Sequence, residues 1–106
     1  MIRHVVSWKL NGADAAARTE QAATITAALT ALPAVIPQIL ALDVGTNVAY
    51  PESNWDLVLI ADYDSLDDLE AYQVHPEHVA ATHVIKPLVA SRSNVDFEFE
   101  SDPTAD

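Results

Sequence analysis

Ile2-Arg3-His4-Val5-Val6-Ser7-Trp8-Lys9-Leu10 is the stretch on which the fold turns. Its residues alternate: Ile2, His4, Val6, Trp8 and Leu10 share one face, and Arg3, Val5, Ser7 and Lys9 share the other. A period of two predicts a strand, and the turn pair Asn11-Gly12 closes it. The chain then changes period. Ala15, Ala22, Ile25, Leu29 and Leu32 recur at helical spacing among alanines that favour helix. This predicts a helix from Asp14 to about Leu32, where Pro33 stops it.

Working outward, a second strand is expected at about Ile39–Asn47, with Leu40, Leu42 and Val44 on one side. Val48–Asn54 contains Pro51 and reads as a hairpin-like loop. A third strand, about Trp55–Tyr63, carries the β-rich run Leu57-Val58-Leu59-Ile60. Ser65 caps the next helix, with Asp68 three residues on, and Leu66, Leu69 and Tyr72 are its expected buried stripe. His75-Pro76 breaks that helix, because the residue before a proline is pushed out of the α region, and Pro76 suits the first position of a new one. The new helix is expected over about Pro76–Ala90, irregular near Pro87. A last strand, about Arg92–Glu100, sets Val95, Phe97 and Phe99 against Asn94, Asp96 and Glu98. The order β-α-β-β-α-β, with the second helix split, is the ferredoxin-like α+β arrangement: a four-stranded antiparallel sheet with helices on one face. Residues 1–100 form the domain, and 101–106 are a short acidic tail expected to fray.

Several strands are apolar on both faces: Val5 opposes the Val6 face, and Val58 and Ile60 oppose Leu57 and Leu59. Helices cover one side only, so the other must meet a partner. A homodimer packed sheet to sheet is the expectation.

Composition narrows the chemistry. The 106 residues suit a single core. With no cysteine, a disulfide framework, a thiolate metal site and a thiol nucleophile are excluded. A net charge of −11 repels phosphate backbones and anionic lipid, which argues against nucleic acid and membrane partners. Met1-Ile2-Arg3-His4 leads directly into a strand and no apolar run reaches the roughly 20 residues of a membrane span, so a cytoplasmic location is expected. Only Gly12 and Gly45 are glycines; there is no phosphate loop, nucleophile elbow or dinucleotide fingerprint.

Histidine is then the natural proton carrier, and the chain has His4, His75, His78 and His83. His4 stands on an apolar face between Ile2 and Val6, where it is either a buried histidine tied to backbone or a functional group. His75 reads as a helix cap, and His83 as a half-buried surface residue. His75 and His78, three apart, would also suit a metal with Glu77 or His83, but helical zinc pairs usually lie four apart, and no metal is expected. Tyr72 is a core residue or a phenol that donates to a ligand oxygen. Trp8, Leu57, Leu59 and Leu69 are the expected apolar wall of a ligand pocket. Asp96 is expected at a dimer interface or in solvent.

Three segments resemble the stress-responsive A/B barrel (Dabb) family of dimeric α+β barrels. They are Met1–Leu10, Leu57–Leu66 and Ala71-Tyr72-Gln73-Val74-His75-Pro76-Glu77-His78, the last being similar to the family's A-Y-x-x-H-P-x-H signature. The resemblance implies the fold just derived and a homodimer. One plant member is a polyketide cyclase that closes its substrate by intramolecular aldol condensation. The resemblance to it implies a site at His4, Tyr72 and His78; its third-strand histidine is replaced here by Leu57. The signatures of the related haem-degrading and quinol-forming monooxygenases are not matched. Two readings follow. In one, His78 is a general base, Tyr72 an oxyanion donor and His4 an orienting group acting on a small apolar carbonyl compound without a cofactor. In the other, the chain is a non-catalytic, stress-related dimer.

Overall fold

A computed structural model describes residues 1–100; the acidic tail expected to fray lies outside the described residues. The elements run β1 (Ile2–Leu10), α1 (Ala15–Thr30), β2 (Ala41–Thr46), β3 (Leu57–Tyr63), α2 (Leu66–Val74), α3 (Pro76–Ile85) and β4 (Val89–Glu98). The strands form one antiparallel sheet in the order β2-β3-β1-β4. The ferredoxin-like expectation therefore holds, with the second helix split at the proline.

The boundaries differ where capping and local turns decide them. Asp14 is the cap rather than the first turn of α1: its extended backbone leaves the helix and its carboxylate accepts from Ala17 N at 2.8 Å. Leu32–Ala34 is a separate 3₁₀ turn, with Pro33 inside it. Lys86–Leu88 is another, around Pro87, so α3 ends five residues short of Ala90 and β4 starts earlier than Arg92. Leu66 is exposed, because the first turn of α2 projects from the sheet; Leu69 and Tyr72 alone carry its buried stripe.

The core lies between the sheet and α1. Ile25, Leu29, Leu32 and Ile36 descend from α1 and its exit onto Leu57, Leu59, Ala61 and Tyr63 of β3 and onto Ile2, Val6, Trp8 and Leu10 of β1. All are buried. No helix covers β4, and every residue from Ala90 to Glu98 is exposed. A β-bulge at Ala90, where Lys9 pairs with Ser91 but Leu10 with Val89, turns the start of this strand.

The sheet's opposite face is open. Val5, Val58, Ile60, Val95 and Phe97 lie there, with Ile60 37%, Val95 63% and Phe97 44% exposed. Beside them Arg3 grips Asp62 with two parallel bonds of 2.8 and 3.0 Å and lies over the Phe99 ring at 4.2 Å.

Candidate active site

The break between α2 and α3 builds the site. His75 adopts an extended backbone, φ −63° and ψ 133°, and its Nδ1 accepts from Glu77 N at 3.1 Å, which caps α3. Ending α2 at Val74 strands the carbonyl groups of its last turn. One of them, on Gln73, is met at 3.0 Å by His78 Nδ1 from the first turn of α3. A carbonyl oxygen can only accept, so Nδ1 carries the proton and Nε2 keeps its lone pair. Burial holds the His78 pKa below the usual histidine value, helped by the nearby His4 and Arg92 and opposed by the Gln73 bond. The ring is therefore neutral near pH 7 and offers a base at Nε2.

The rings of Tyr72 and His78 lie 4.3 Å apart, those of His4 and Tyr72 6.1 Å, and those of Tyr63 and Tyr72 5.1 Å. His4, only 2% exposed, is the one buried polar or charged residue in the core of the described chain. Its Nδ1 bonds the Asp96 carboxylate, which lies directly across the β1–β4 ladder. Asp96 is exposed, as expected, and it is also tied to His4. The pairing of β4 with β1 puts it on the helix side, where it orients His4. The carboxylate places the proton on His4 Nδ1.

The Tyr63 and Tyr72 hydroxyls are buried and neither has a partner within 3.5 Å among the described residues, although the two phenols lie close enough for each to shift the other. Burial raises both phenols, Tyr72 to about 12. Tyr72 therefore stays protonated and presents an unspent O–H donor. A buried hydroxyl without a partner costs about 1–3 kcal/mol, so something must compensate it.

Some of these groups border a hollow of about 520 Å³; Tyr63 and Asp96 do not. His4, Tyr72 and His78 line it, with Trp8 and Leu59 as expected, and the sequence reading missed Leu29, Thr82, Ile85, Lys86 and Arg92. Leu57 and Leu69 do not line it. Leu57 pairs with Trp8 at the start of β3 and borders a shallower depression with Ser7, Gly45 and Trp55. Leu69 is spent on the core one helical turn before Tyr72. His83 is exposed and faces no part of the hollow. His75 spends Nδ1 on the α3 cap and His78 spends Nδ1 on Gln73; among the described residues no group of three or more His, Cys, Asp or Glu is placed to hold an ion. Asp96 was legible in principle: the β-α-β-β-α-β order makes β4 a neighbour of β1, and alternation then sets the Asp96 face against the His4 face.

The features define a class: a ferredoxin-like α+β domain with a ligand-sized hollow between sheet and helices, lined by two histidines and a tyrosine. The chain belongs to the stress responsive A/B barrel domain family, whose model matches residues 2–99. No curated protein matches it. Two solved structures share 35% of its sequence. One is a dimeric protein of unknown function and ferredoxin-like fold from Bacteroides fragilis, aligned over 92% of this chain and 95% of that chain with a TM-score of 0.83. The other is a dimeric ferredoxin-like protein of unknown function from Thermobifida fusca, aligned over 92% and 90% with a TM-score of 0.77. A hydroxynitrile lyase from Passiflora edulis shares the fold at 13% identity, over 95% and 94%, with a TM-score of 0.78. No helix among the described residues is long and apolar enough to cross a membrane.

Proposed function

We propose that the protein binds a small carbonyl compound in the hollow and moves a proton on it by His/Tyr acid–base chemistry without a cofactor. The observation that carries this is the neutral His78, with its free Nε2, beside Tyr72 with its unspent buried hydroxyl, both residues lining a hollow of about 520 Å³. That volume falls in the range of about 300–1,000 Å³ typical of ligand pockets. In the proposed step, His78 Nε2 takes a proton from carbon next to a carbonyl. The electron pair moves onto the carbonyl oxygen, and the Tyr72 O–H donates to the developing oxyanion. His4, oriented by Asp96, holds the substrate or steadies the tyrosine. The enolate can return the proton at another carbon or attack a second carbonyl, so isomerisation and aldol closure share this first step. The lyase of the same fold supports the fold's capacity for chemistry on small molecules and nothing narrower.

The test is deuterium exchange into the methylene of a neutral diketone, 1-phenylbutane-1,3-dione, followed by NMR in deuterated buffer. Exchange above the buffer rate that disappears in His78→Ala supports the proposal. Exchange equal to buffer, or unchanged in both His78→Ala and Tyr72→Phe, overturns it. The second reading, a non-catalytic stress-related dimer, is favoured by one observation: His4 and His78 each already bond a protein group, as structural fixtures do.

We also propose that two protomers pack sheet to sheet. The open apolar face of Val5, Ile60, Val95 and Phe97 supports this, as do the two dimeric relatives. Light scattering should give twice the 11.5 kDa chain mass at micromolar concentration. A monomer would refute it.

A further inference from the structure

The hollow is electrically unlike the rest of the molecule. The chain has 16 acidic and five basic residues, yet no acidic residue lines the hollow and two basic ones do, Lys86 and Arg92. Both are exposed at its rim. Neither forms an ion pair among the described residues, whereas Arg3 is spent on Asp62. Among the described residues, the Arg92 guanidinium donates only to the neutral Asn94 amide oxygen, at 3.1 Å. Asn94 in turn gives its amide N–H to Asp96 at 3.4 Å. The three residues alternate along one face of β4, so Asn94 stands between guanidinium and carboxylate. Asp96 itself is held by His4 and does not border the hollow. A protein of charge −11 thus keeps two cations without an ion pair among the described residues at the rim of the hollow that holds its buried polar groups.

From this arrangement we infer that the ligand of the hollow is an organic carboxylate, its anionic group set at Lys86 and Arg92 and its apolar body against Trp8, Leu29 and Leu59. The planar fork of arginine suits a carboxylate, and the apolar walls suit a carbon skeleton. A phosphate would want a backbone cradle, and the two glycines of the chain lie elsewhere. The inference rests on the reading of the hollow as a small-molecule site and narrows its ligand class. It also places the carboxylate at the rim, so that the rest of the molecule reaches inward to His78 and Tyr72.

Two probes of nearly equal shape isolate the charge: 4-butylbenzoate and the neutral 4-butylbenzamide, titrated calorimetrically into the full chain at low salt. The benzoate should bind about tenfold more tightly, and added salt should erode the difference. Lys86→Gln alone should reduce the preference to about threefold, and Lys86→Gln with Arg92→Gln should abolish it. Lys86 is exposed, so its variant keeps the test meaningful even where the double variant folds poorly. Equal affinities, tighter binding of the amide, no binding of either probe, or a preference that survives Lys86→Gln unchanged would overturn the inference. The two proposals fail separately. Diketone exchange without a benzoate preference removes the anion assignment and leaves the acid–base reading. A benzoate preference without exchange does the reverse.

Discussion

One face of a single sheet is finished in two ways. Over β3 and the adjoining part of β1, α1 and its exit lay down Ile25 and Ile36 on Leu57, Ala61 and Tyr63, and the space is filled by buried apolar side chains. Toward β4 the same face carries Arg92, Asn94 and Asp96, no helix descends, and a hollow remains. The difference comes from two local features. The inner face of β4 is polar, so a helix over it would have to bury charges. The His75-Pro76 break also replaces one long helix by two short ones, and the stranded Gln73 carbonyl orients His78. The filled half supplies stability; the unfilled half collects the groups that can do chemistry.

Substitutions should separate the halves. His78→Ala carries the largest effect on activity: it should lower diketone exchange by about 10²–10⁴-fold, the usual contribution of a positioned base. In the wild type the rate should fall as pH drops through the lowered His78 pKa, below the ordinary 6.5, and level off above it. The same shift links to stability. A depressed folded pKa contributes stability that is present above the unfolded value of 6.5 and lost as pH falls through the folded value. An acid-side loss of stability that is the same in His78→Ala would contradict that assignment.

In the filled half, Ile25→Ala removes a fully buried side chain and should cost about 2–5 kcal/mol in denaturant unfolding. Val89→Ala, at the rim of the hollow, should change stability by less than about 1 kcal/mol. Equal costs would mean that the two halves are packed alike.

The sequence makes most of this division readable, and the reasons are local. Alternation in Ile2–Leu10 and the proline at position 76 define the first strand and the helix break, because a two-residue period and a missing N–H leave few alternatives. His4, Tyr72 and His78 stood out as polar or amphipathic residues on apolar faces. Asp96, Lys86 and Arg92 did not, since β4 taken alone reads as a strand with one apolar and one solvent face. Only its pairing with β1 shows that the polar face looks toward the helices. Leu57 and Leu69 were misassigned to the hollow for the complementary reason: alternation gives the face of a residue, but not its distance along that face from an opening.

Smaller effects sharpen the comparison. Asp96→Asn should lower exchange on the order of tenfold, because Asp96 acts through the orientation of His4 rather than on the reacting atoms. The pH profile set by His78 should be unmoved, and a shift in it would place Asp96 on His78 instead. Tyr72→Phe should lower exchange yet leave the unliganded protein as stable or up to about 1 kcal/mol more stable, because it deletes a buried hydroxyl that has no partner. A clear loss of stability would show that the phenol is a structural fixture.

The most direct test of the account is the protonation state of His78, read by ¹⁵N NMR of the imidazole ring near neutral pH with His78→Gln as the assignment control. The Gln73 bond should give a neutral ring with its proton on Nδ1 and a lone pair on Nε2, and a response at Nε2 when a ligand enters the hollow. A ring protonated at Nε2, whether as the other tautomer or as the imidazolium, would leave the hollow without a base and contradict the account.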